Sequence, residues 1–289
     1  MPAVHLLLNT HTPLRLRRTL LGVACQTAAP ASITLSCDSD DPAIEAAARE
    51  GCREFGLSMT LIRRAHTGVS RSAQVRNNAV RSLVDSGAAP DSLLLFFDGD
   101  CVPEPRAIEK HLDLTAKHPN PFVVLGWRYD LTEAQDKAFD EAAMRRGEWP
   151  VAPTAEQRAA LEKRRKRFSR QLFLKRLGFS KPHKPKLLSA HFSLRLRDYL
   201  AINGFDETYE SYGQEDDDLG RRLYANGVSP LLAITSIACF HQFHVTRQPP
   251  DWHATPNAQR LMQSFKTVCD RGVRNPLDQP PVTAIRIGN

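Results

Sequence analysis

The chain has 289 residues, of which 42% are hydrophobic and 25% are charged, as in an ordinary soluble globular protein. This length suits one large α/β domain or two small ones, and no segment approaches the ~18 consecutive apolar residues of a membrane span. The formal net charge is +7, but residues 145–187 alone hold fourteen Lys or Arg against three Glu. The basic character therefore belongs to one segment.

The N-terminus and the cysteines bear on location. The first apolar run is too short for a signal peptide, and no cationic segment precedes it. The six cysteines are scattered without a C-x-x-C pair, which fits neither a zinc site nor a disulfide framework. We therefore expect reduced thiols and a cytoplasmic protein.

In chain order, the first part of the sequence alternates strands with helices. Strands are predicted over 4–9, 31–37, 57–62 and 93–97, and helices over 14–25, 44–55 and 72–86. Gly56 stands where a helix C-terminal glycine belongs. This alternation indicates βαβ units and an α/β fold with a mostly parallel central sheet flanked by helices. Ligands of such sheets bind outside the carboxyl ends of the strands.

The second part is less regular. Strands are predicted over 122–129, 187–196 and 231–240, and helices from 132 onward and over 156–177, 197–202 and 217–225. We expect one domain over residues 1–247, with a basic helical insertion at about 130–187. The Pro-rich extension 248–289 is predicted to be an extended tail.

The strand at 93–97 ends on two carboxylates. Asp98 and Asp100 lie two residues apart, so in an extended chain they project to the same side and can reach one ion. Gly99 between them allows a ligand to approach the backbone closely. Carboxylate oxygens suit a hard divalent cation. The alternative is a polar turn after a strand, since Asp-Gly is ordinary turn chemistry.

A run of four acids, residues 215–218, marks a second candidate site. Acids in the first turn of a helix favour the positive end of the helix dipole, so capping is the alternative interpretation. Four adjacent carboxylates repel each other, however, and a cation or a reacting group would justify them. The helix end would keep at least one ionised, as a general base must be.

The sequence His241-Gln242-Phe243-His244 follows the last predicted strand. Alternation along an extended chain would place His241 and His244 on opposite sides. One imidazole can complete a site begun by Asp98 and Asp100, and imidazole suits Mn²⁺-like metals better than Mg²⁺. The alternative is a structural histidine at a strand end.

The order of these pieces resembles a GT-A glycosyltransferase of the large inverting family 2 type, with a galactosyltransferase-like C-terminal motif. The matching segments are 6–13, 37–41, 75–79, 98–100, 193–195, 203–207, 215–219 and His241. They span about residues 4–247. Tyr212 stands where the family has a Trp-Gly pair before the acids, and residues 130–187 have no clear counterpart.

The resemblance assigns the nucleotide-sugar site to five residues. Thr10 would lie by the nucleotide base, and Asp38 would accept hydrogen bonds from the uracil or the ribose. Arg76 would lie near the phosphates or the ribose. Asp98 and Gly99 would line the diphosphate.

The resemblance also implies a metal site. Asp98 and Asp100 would hold a divalent metal, Mn²⁺ or Mg²⁺, on the diphosphate. His241 would be the third ligand, with His244 as the alternative.

Catalytic roles follow in the same way. Asp216 would deprotonate the acceptor hydroxyl, and Glu215 would bind the donor or the acceptor sugar. The implied function is a metal-dependent inverting transfer of a sugar, from a UDP-hexose, to a hydroxyl of a glycan or a lipid-linked acceptor. A retaining transferase on the same fold and a non-catalytic basic module associated with membrane or nucleic acid remain as alternatives.

The insertion has two interpretations. One is a solvated basic loop. The other is a basic helix over 156–179 that faces an anionic membrane or a lipid-diphosphate acceptor, anchored by Leu161, Phe168 and Leu172 at the inner face of the membrane. Nucleic acid is not expected, because no RNP, helix-turn-helix or zinc-finger pattern accompanies the charge.

A separate hypothesis concerns the three tryptophans of the chain. Trp127, Trp149 and Trp252 are candidates for a platform that stacks on sugar rings. Trp127, on a predicted strand, favours a core position instead.

Overall fold

A computed structural model describes residues 2–211, 213–245, 254–263 and 265–288. The strands are β1 Val4–Thr10, β2 Ser32–Cys37, β3 Met59–Arg63, β4 Leu93–Asp98, β5 Cys101–Pro103, β6 Phe122–Leu125, β7 Tyr129–Asp130, β8 His191–Arg195, β9 Ser229–Leu232, β10 Cys239–His241 and β11 Thr283–Ile287. The helices are α1 Leu16–Ala24, α2 Pro42–Phe55, α3 Ser72–Asp85, α4 Ala107–Lys117, α5 Glu133–Lys137, α6 Glu141–Arg145, α7 Ala155–Arg176, α8 Leu196–Ala201, α9 Glu215–Ala225 and α10 Pro256–Gln263.

The central sheet has eight strands in the order β11-β3-β2-β1-β4-β8-β6-β9. Neighbours from β3 to β4 run parallel, and β8 is antiparallel to both β4 and β6. The predicted α/β class with a mostly parallel sheet is confirmed. Strand β4 lies inside the sheet because its apolar side chains are buried on both faces, alternating between two core clusters.

A second sheet of three short strands, β5-β10-β7, positions the functional residues. Strand β10 lies between the other two, with His241 opposite Cys101 of β5 and Asp130 of β7. Since Asp100 immediately precedes β5, this register brings side chains from three distant parts of the chain to one end of the small sheet.

Two predicted strands are divided between the two sheets. The segment 122–129 breaks after β6, where Gly126 donates its backbone N–H to the carbonyl of His191 at 3.1 Å. A Cβ on Gly126 would lie 2.4 Å from the His191 ring. The segment 231–240 breaks after β9 into a turn, closed by the N–H of Ile237 on the carbonyl of Ala233 at 3.1 Å. Ile234 and Ile237 are buried in this turn. Their apolar side chains therefore led to the prediction of a strand.

Other predicted bounds change less. The strand at 187–196 is shortened to β8, the helical stretch from 132 is divided into α5 and α6, and α9 begins two residues before the predicted helix. Gly56 has φ of +66° and ends α2 as predicted.

The prediction of an extended tail for 248–289 is corrected by the described residues of that segment. Strand β11 pairs antiparallel with β3, Ile285 opposite Leu61, and forms an edge of the central sheet. The carboxylate of Glu207 also holds the segment, because it accepts the backbone N–H of Leu277 at 2.8 Å and is buried against Gln74 of α3. This edge strand was not predicted, because the segment that contains it is rich in proline.

The insertion contains the long helix α7, and one face of α7 is packed. Leu161 and Phe168 are buried in a core cluster with Tyr129 and Phe240. The ring of Trp127 packs edge-on against Phe168, with centroids 6.0 Å apart. The solvated-loop interpretation is therefore wrong for this helix. Leu161 and Phe168 cannot anchor a membrane contact, since they are covered by protein.

Among the described residues, no helix is both long enough and apolar enough to cross a bilayer. The six cysteines are all free thiols.

The packing of α7 gives a stability prediction. Phe168→Ala is expected to lower the free energy of unfolding by about 3 to 5 kcal/mol, because it leaves a cavity in a buried cluster. Phe173→Ala, on the exposed face of the same helix, is the matched control and should change it by less than about 0.5 kcal/mol. Urea unfolding followed by circular dichroism measures both. Equal effects would contradict the packed orientation of α7.

Candidate active site

A cleft of about 700 Å³ opens at the carboxyl ends of β1 and β4. The predicted site residues that line it are Thr10, Arg76, Asp98, Gly99, Asp100, Glu215, Asp216, His241 and His244. Asp38 alone among the predicted residues is not part of the lining. Its carboxylate is buried, accepts the N–H of Arg71 at 3.1 Å and lies 3.0 Å from Nη2 of Arg64.

Three side chains in this cleft are close enough to share one metal ion. Ligand atoms of Asp100, His241 and His244 all lie within 4.8 Å of one another. Oδ2 of Asp100 is 3.4 Å from Nε2 of His241 and 3.2 Å from Nε2 of His244. The two Nε2 atoms are 3.2 Å apart. Both histidines therefore join the cluster, where the sequence offered His244 only as an alternative.

The local backbone explains why both histidines face Asp100. The N–H of Gln242 donates to the carbonyl of Asp100 at 3.0 Å, and its side-chain amide donates to the carbonyl of Arg15. The Arg15 guanidinium in turn holds the carbonyl of Phe243 at 2.8 and 3.0 Å. Strand β10 ends at His241, and both imidazoles lie beside Asp100, so the expected alternation along an extended strand is wrong here.

Asp130 orients His241, and sequence analysis missed it. Its Oδ1 lies 3.0 Å from Nδ1 of His241, which directs Nε2 toward Asp100. Arg128 holds the same oxygen of Asp130 at 2.9 Å. Burial lowers the pKa of His241, but hydrogen bonds to Asp100 and Asp130 outweigh it and hold the pKa above its ordinary value. No local signal predicts Asp130, since β7 has only two residues.

The residues present fit a divalent cation. Burial acts to raise the pKa of Asp100, but the hydrogen bond and charge of His241 hold it at about 2, so the carboxylate is ionised. Its second oxygen, Oδ1, is buried and accepts no hydrogen bond. One carboxylate with an unused oxygen and two imidazoles form a donor set that suits Mn²⁺-like metals.

The structure places Asp98 apart from this cluster. Its Oδ1 accepts a hydrogen bond from Nη2 of Arg76 at 2.7 Å. The Arg76 side chain is only 5% exposed, and its Nη1 lies 3.8 Å from Glu215 without a hydrogen-bond partner. Arg76 thus connects the end of β4 with the start of α9 and retains one donor for a ligand.

Gly99 has a structural reason to be glycine. A Cβ there would lie 2.7 Å from Cβ of Thr10, because the Gly99 N–H donates to the carbonyl of Asn9 at 2.7 Å. Close packing of the turn after β4 against the end of β1 therefore requires glycine, and Gly99 also lines the cleft. The Thr10 hydroxyl donates to the carbonyl of Thr12 at 2.8 Å within the loop.

The four acids at the start of α9 divide into two pairs. Asp217 and Asp218 pair with cations within the protein. Oδ2 of Asp218 accepts from Nε of Arg222 at 2.7 Å, while Asp217 lies 3.4 Å from Nζ of Lys186 and 3.6 Å from Nζ of Lys184. Glu215 and Asp216 face the cleft instead. The capping interpretation therefore does not account for all four.

Asp216 combines burial with access to the cleft. It is 7% exposed, and its Oδ1 accepts the N–H of Asp217 at 2.9 Å. Burial raises its pKa to about 7, with the charges of Glu215 and Asp217 acting in the same direction and Lys186 opposing them. Nζ of Lys186, 3.7 Å away, also lines the cleft. Sequence analysis missed Lys186 because it lies in a segment without a motif.

The proposed tryptophan platform is not part of the cleft. Trp127 packs against Phe168, and Arg164 lies over its ring at 3.7 Å. Nε1 of Trp149 donates to Glu104 at 3.0 Å. Neither indole lines the cleft, so the platform is wrong for these two. Trp252 and Tyr212 lie outside the described residues.

Comparison with known proteins bears on the fold. Residues 174–248 match the family model described as the N-terminal domain of galactosyltransferase. The fold resembles a mannosyltransferase, PcManGT, from Pyrobaculum calidifontis in complex with GDP-Man and Mn²⁺. The TM-score is 0.55 at 12% identity, covering 92% of this chain and 65% of that one. No curated protein sequence matches the chain.

Two further solved structures are similar. GalNAc-T7 with UDP, GalNAc and Mn²⁺ has a TM-score of 0.54 at 13% identity over 85% of this chain and 44% of that one. S. aureus TarS in complex with UDP-GlcNAc has a TM-score of 0.53 at 14% identity, over 84% of this chain and 60% of that one. The chain thus spans about two thirds or less of these proteins.

These matches confirm the predicted fold. The chain has the GT-A fold of nucleotide-sugar glycosyltransferases. The segment that matches the galactosyltransferase model supplies Asp216, His241 and His244.

The histidine cluster predicts metal binding. His244→Ala should abolish high-affinity Mn²⁺ binding, and Asp130→Asn should weaken it about 10- to 100-fold, because the orienting carboxylate is lost. Isothermal titration calorimetry with Mn²⁺ and the apo protein measures both. Asp113→Asn, an exposed acid outside the cleft, is the matched control. Unchanged affinity in His244→Ala would contradict the proposed ligand set.

Proposed function

We propose that the chain is a metal-dependent glycosyltransferase that moves a sugar from a nucleotide diphosphate sugar to a hydroxyl acceptor. The observation that carries this proposal is that one cleft holds the Asp100–His241–His244 cluster and the buried carboxylate of Asp216 together. The GT-A fold and the galactosyltransferase segment support the same reaction class.

Some residues of the cleft would act on the leaving group, and others would act on the nucleophile. A divalent metal held by Asp100, His241 and His244 would supply charge neutralisation on the leaving diphosphate. Arg76 has a buried, unpartnered Nη1 in the same cleft, which suits a phosphate oxygen. These groups would bind and orient the donor, as the sequence resemblance implies.

Asp216 is the proposed general base. Its carboxylate would accept the proton of the acceptor hydroxyl while that oxygen attacks the anomeric carbon, and the bond to the diphosphate breaks. A pKa of about 7 matches this role, because a base titrating near the working pH combines a useful deprotonated fraction with basicity. Attack opposite the leaving group gives inversion, and assigning the product anomer by NMR separates this from retention.

The donor is proposed to be a UDP-hexose. Two of the similar structures contain UDP or UDP-GlcNAc, and one contains GDP-Man. The galactosyltransferase match favours UDP among these. The acceptor is proposed to be a glycan or a lipid-linked hydroxyl.

Replacement of the base gives the main functional prediction. Asp216→Asn should lower kcat about 10² to 10⁴-fold and leave the affinity for the donor unchanged, since the isosteric amide cannot accept the proton. Asp217→Asn is the matched control. Asp217 is equally buried but absent from the cleft lining, so kcat should fall less than tenfold. Loss of donor binding with unchanged turnover in Asp216→Asn would contradict the assignment.

The raised pKa of Asp216 also predicts two pH effects. Activity should increase as pH rises through about 7, because only the carboxylate form is a base.

The folded state holds this proton more tightly than the unfolded chain, so the free energy of unfolding falls over the same rise in pH. Asp216→Asn removes the titrating carboxyl and with it this fall in the free energy of unfolding. The variant should therefore not lower Tm at neutral pH. A decrease in Tm would show that the carboxylate is structural.

A further inference from the structure

Helix α7 buries one face and exposes the opposite one. Five exposed residues follow each other at spacings of three and four, which places them on one face of the helix. We call them the exposed stripe: Lys163, Lys166, Arg170, Phe173 and Leu177. The buried residues Leu161 and Phe168 lie on the other face.

The C-terminal end of the exposed stripe is apolar and held in place. Phe173 is 60% exposed, and Phe179, just beyond the helix, is 80% exposed. The backbone of Phe179 is fixed, because its N–H donates to the carbonyl of Leu174 at 2.9 Å. Gly178, with φ of +80°, donates to the carbonyl of Lys175 at 3.0 Å in the same helix-ending motif. Two phenylalanine rings are therefore presented to solvent by an ordered backbone.

Most of the positive charge on α7 and just after it is uncompensated by acids of the same segment. The one acid between residues 160 and 181 is Glu162, which pairs with Arg165. In the part of the chain that the structure describes, five cations of α7 and the segment just after it make no ion pair: Lys163, Lys166, Arg170, Arg176 and Lys181.

We propose that the exposed stripe, together with Phe179, is a docking surface for an anionic lipid bilayer. Cations on the stripe would bind lipid phosphates, and the apolar end would enter the boundary between headgroups and acyl chains. A second copy of the chain does not suit this surface, because a two-fold contact would bring identical cations together. The apolar residues at this surface differ from the anchors predicted from sequence, of which Leu161 and Phe168 are buried and Leu172 is half-buried.

The surface is connected to the cleft. Nζ of Lys175, in the last turn of α7, donates to the carbonyls of Pro182 at 2.9 Å and Lys184 at 3.2 Å. Lys186, two residues further along the chain, lines the cleft 3.7 Å from Asp216. A docked bilayer would hold the cleft near a lipid-linked hydroxyl. This last step rests on the proposed function, whereas the docking itself does not.

Vesicle sedimentation with the full chain tests the docking. We expect binding to vesicles of phosphatidylcholine mixed with phosphatidylglycerol, little binding to phosphatidylcholine alone, and weakening by salt. The double variant Phe173→Ser and Phe179→Ser should lower the partition coefficient at least about tenfold. Lys166→Glu with Arg170→Glu should remove the preference for anionic lipid. Phe265→Ser, an exposed phenylalanine elsewhere, is the matched control and should bind as the unaltered chain does.

Three results would overturn the docking proposal. These are equal binding to neutral and anionic vesicles, binding that survives the double serine variant, and binding to single-stranded RNA without binding to vesicles. The serine variants lie outside the cleft, so any stabilisation of the protein by a nucleotide should persist in them. Vesicle binding by a chain that responds to no nucleotide would support the docking and contradict the proposed function.

Discussion

Pairing of buried charge is the constraint on which the cleft depends. Removing a carboxylate from water is unfavourable unless an opposite charge or a hydrogen-bond donor replaces the lost hydration. Three cleft carboxylates meet this condition with partners from distant parts of the chain: Asp98 with Arg76, Asp100 with His241 and His244, and Glu215 with Ser72 and Arg76. Lys186 lies 3.7 Å from Asp216 but compensates its burial only in part, because burial still raises the pKa of that carboxyl to about 7. The site therefore exists only when the whole fold is formed.

The atoms left without partners indicate where a ligand belongs. Oδ1 of Asp100 and Nη1 of Arg76 are buried and have no hydrogen bond, and both residues line the same cleft. One is an acceptor suited to a cation and the other a donor suited to an anion. A metal ion bound to a diphosphate supplies the cation for Asp100 and the anion for Arg76. A nucleotide sugar with its metal therefore explains both atoms, whereas a metal alone explains only the first.

Local patterns predicted the elements whose causes are local. The five apolar residues 93–97 predicted a buried strand because a strand inside a mostly parallel sheet is covered on both faces, and Gly56 predicted a helix end. Prediction failed where a distant contact decides the structure. Ile234 and Ile237 are buried in a turn but were predicted to lie in a strand. Strand β11 was not predicted, because it depends on pairing with β3.

The candidate site shows the same division. The acids at 98–100 and 215–218 and the histidines were found because residue type and order carry that information. Asp130 and Lys186 were missed, since their roles come from the register of β7 with β10 and from the path of the chain after α7. The separation of Asp98 from Asp100 was also invisible in sequence, because it depends on the guanidinium of Arg76.

The most direct test of the proposed metal and nucleotide site is a thermal-shift comparison of UDP and GDP with and without Mn²⁺, in the unaltered chain and in Asp100→Ala. A ligand that binds only the folded state raises Tm by mass action. We expect UDP to raise Tm when Mn²⁺ is present, and this increase to be lost in Asp100→Ala. An equal increase without metal or in Asp100→Ala, or no increase with either nucleotide, would contradict the proposed site.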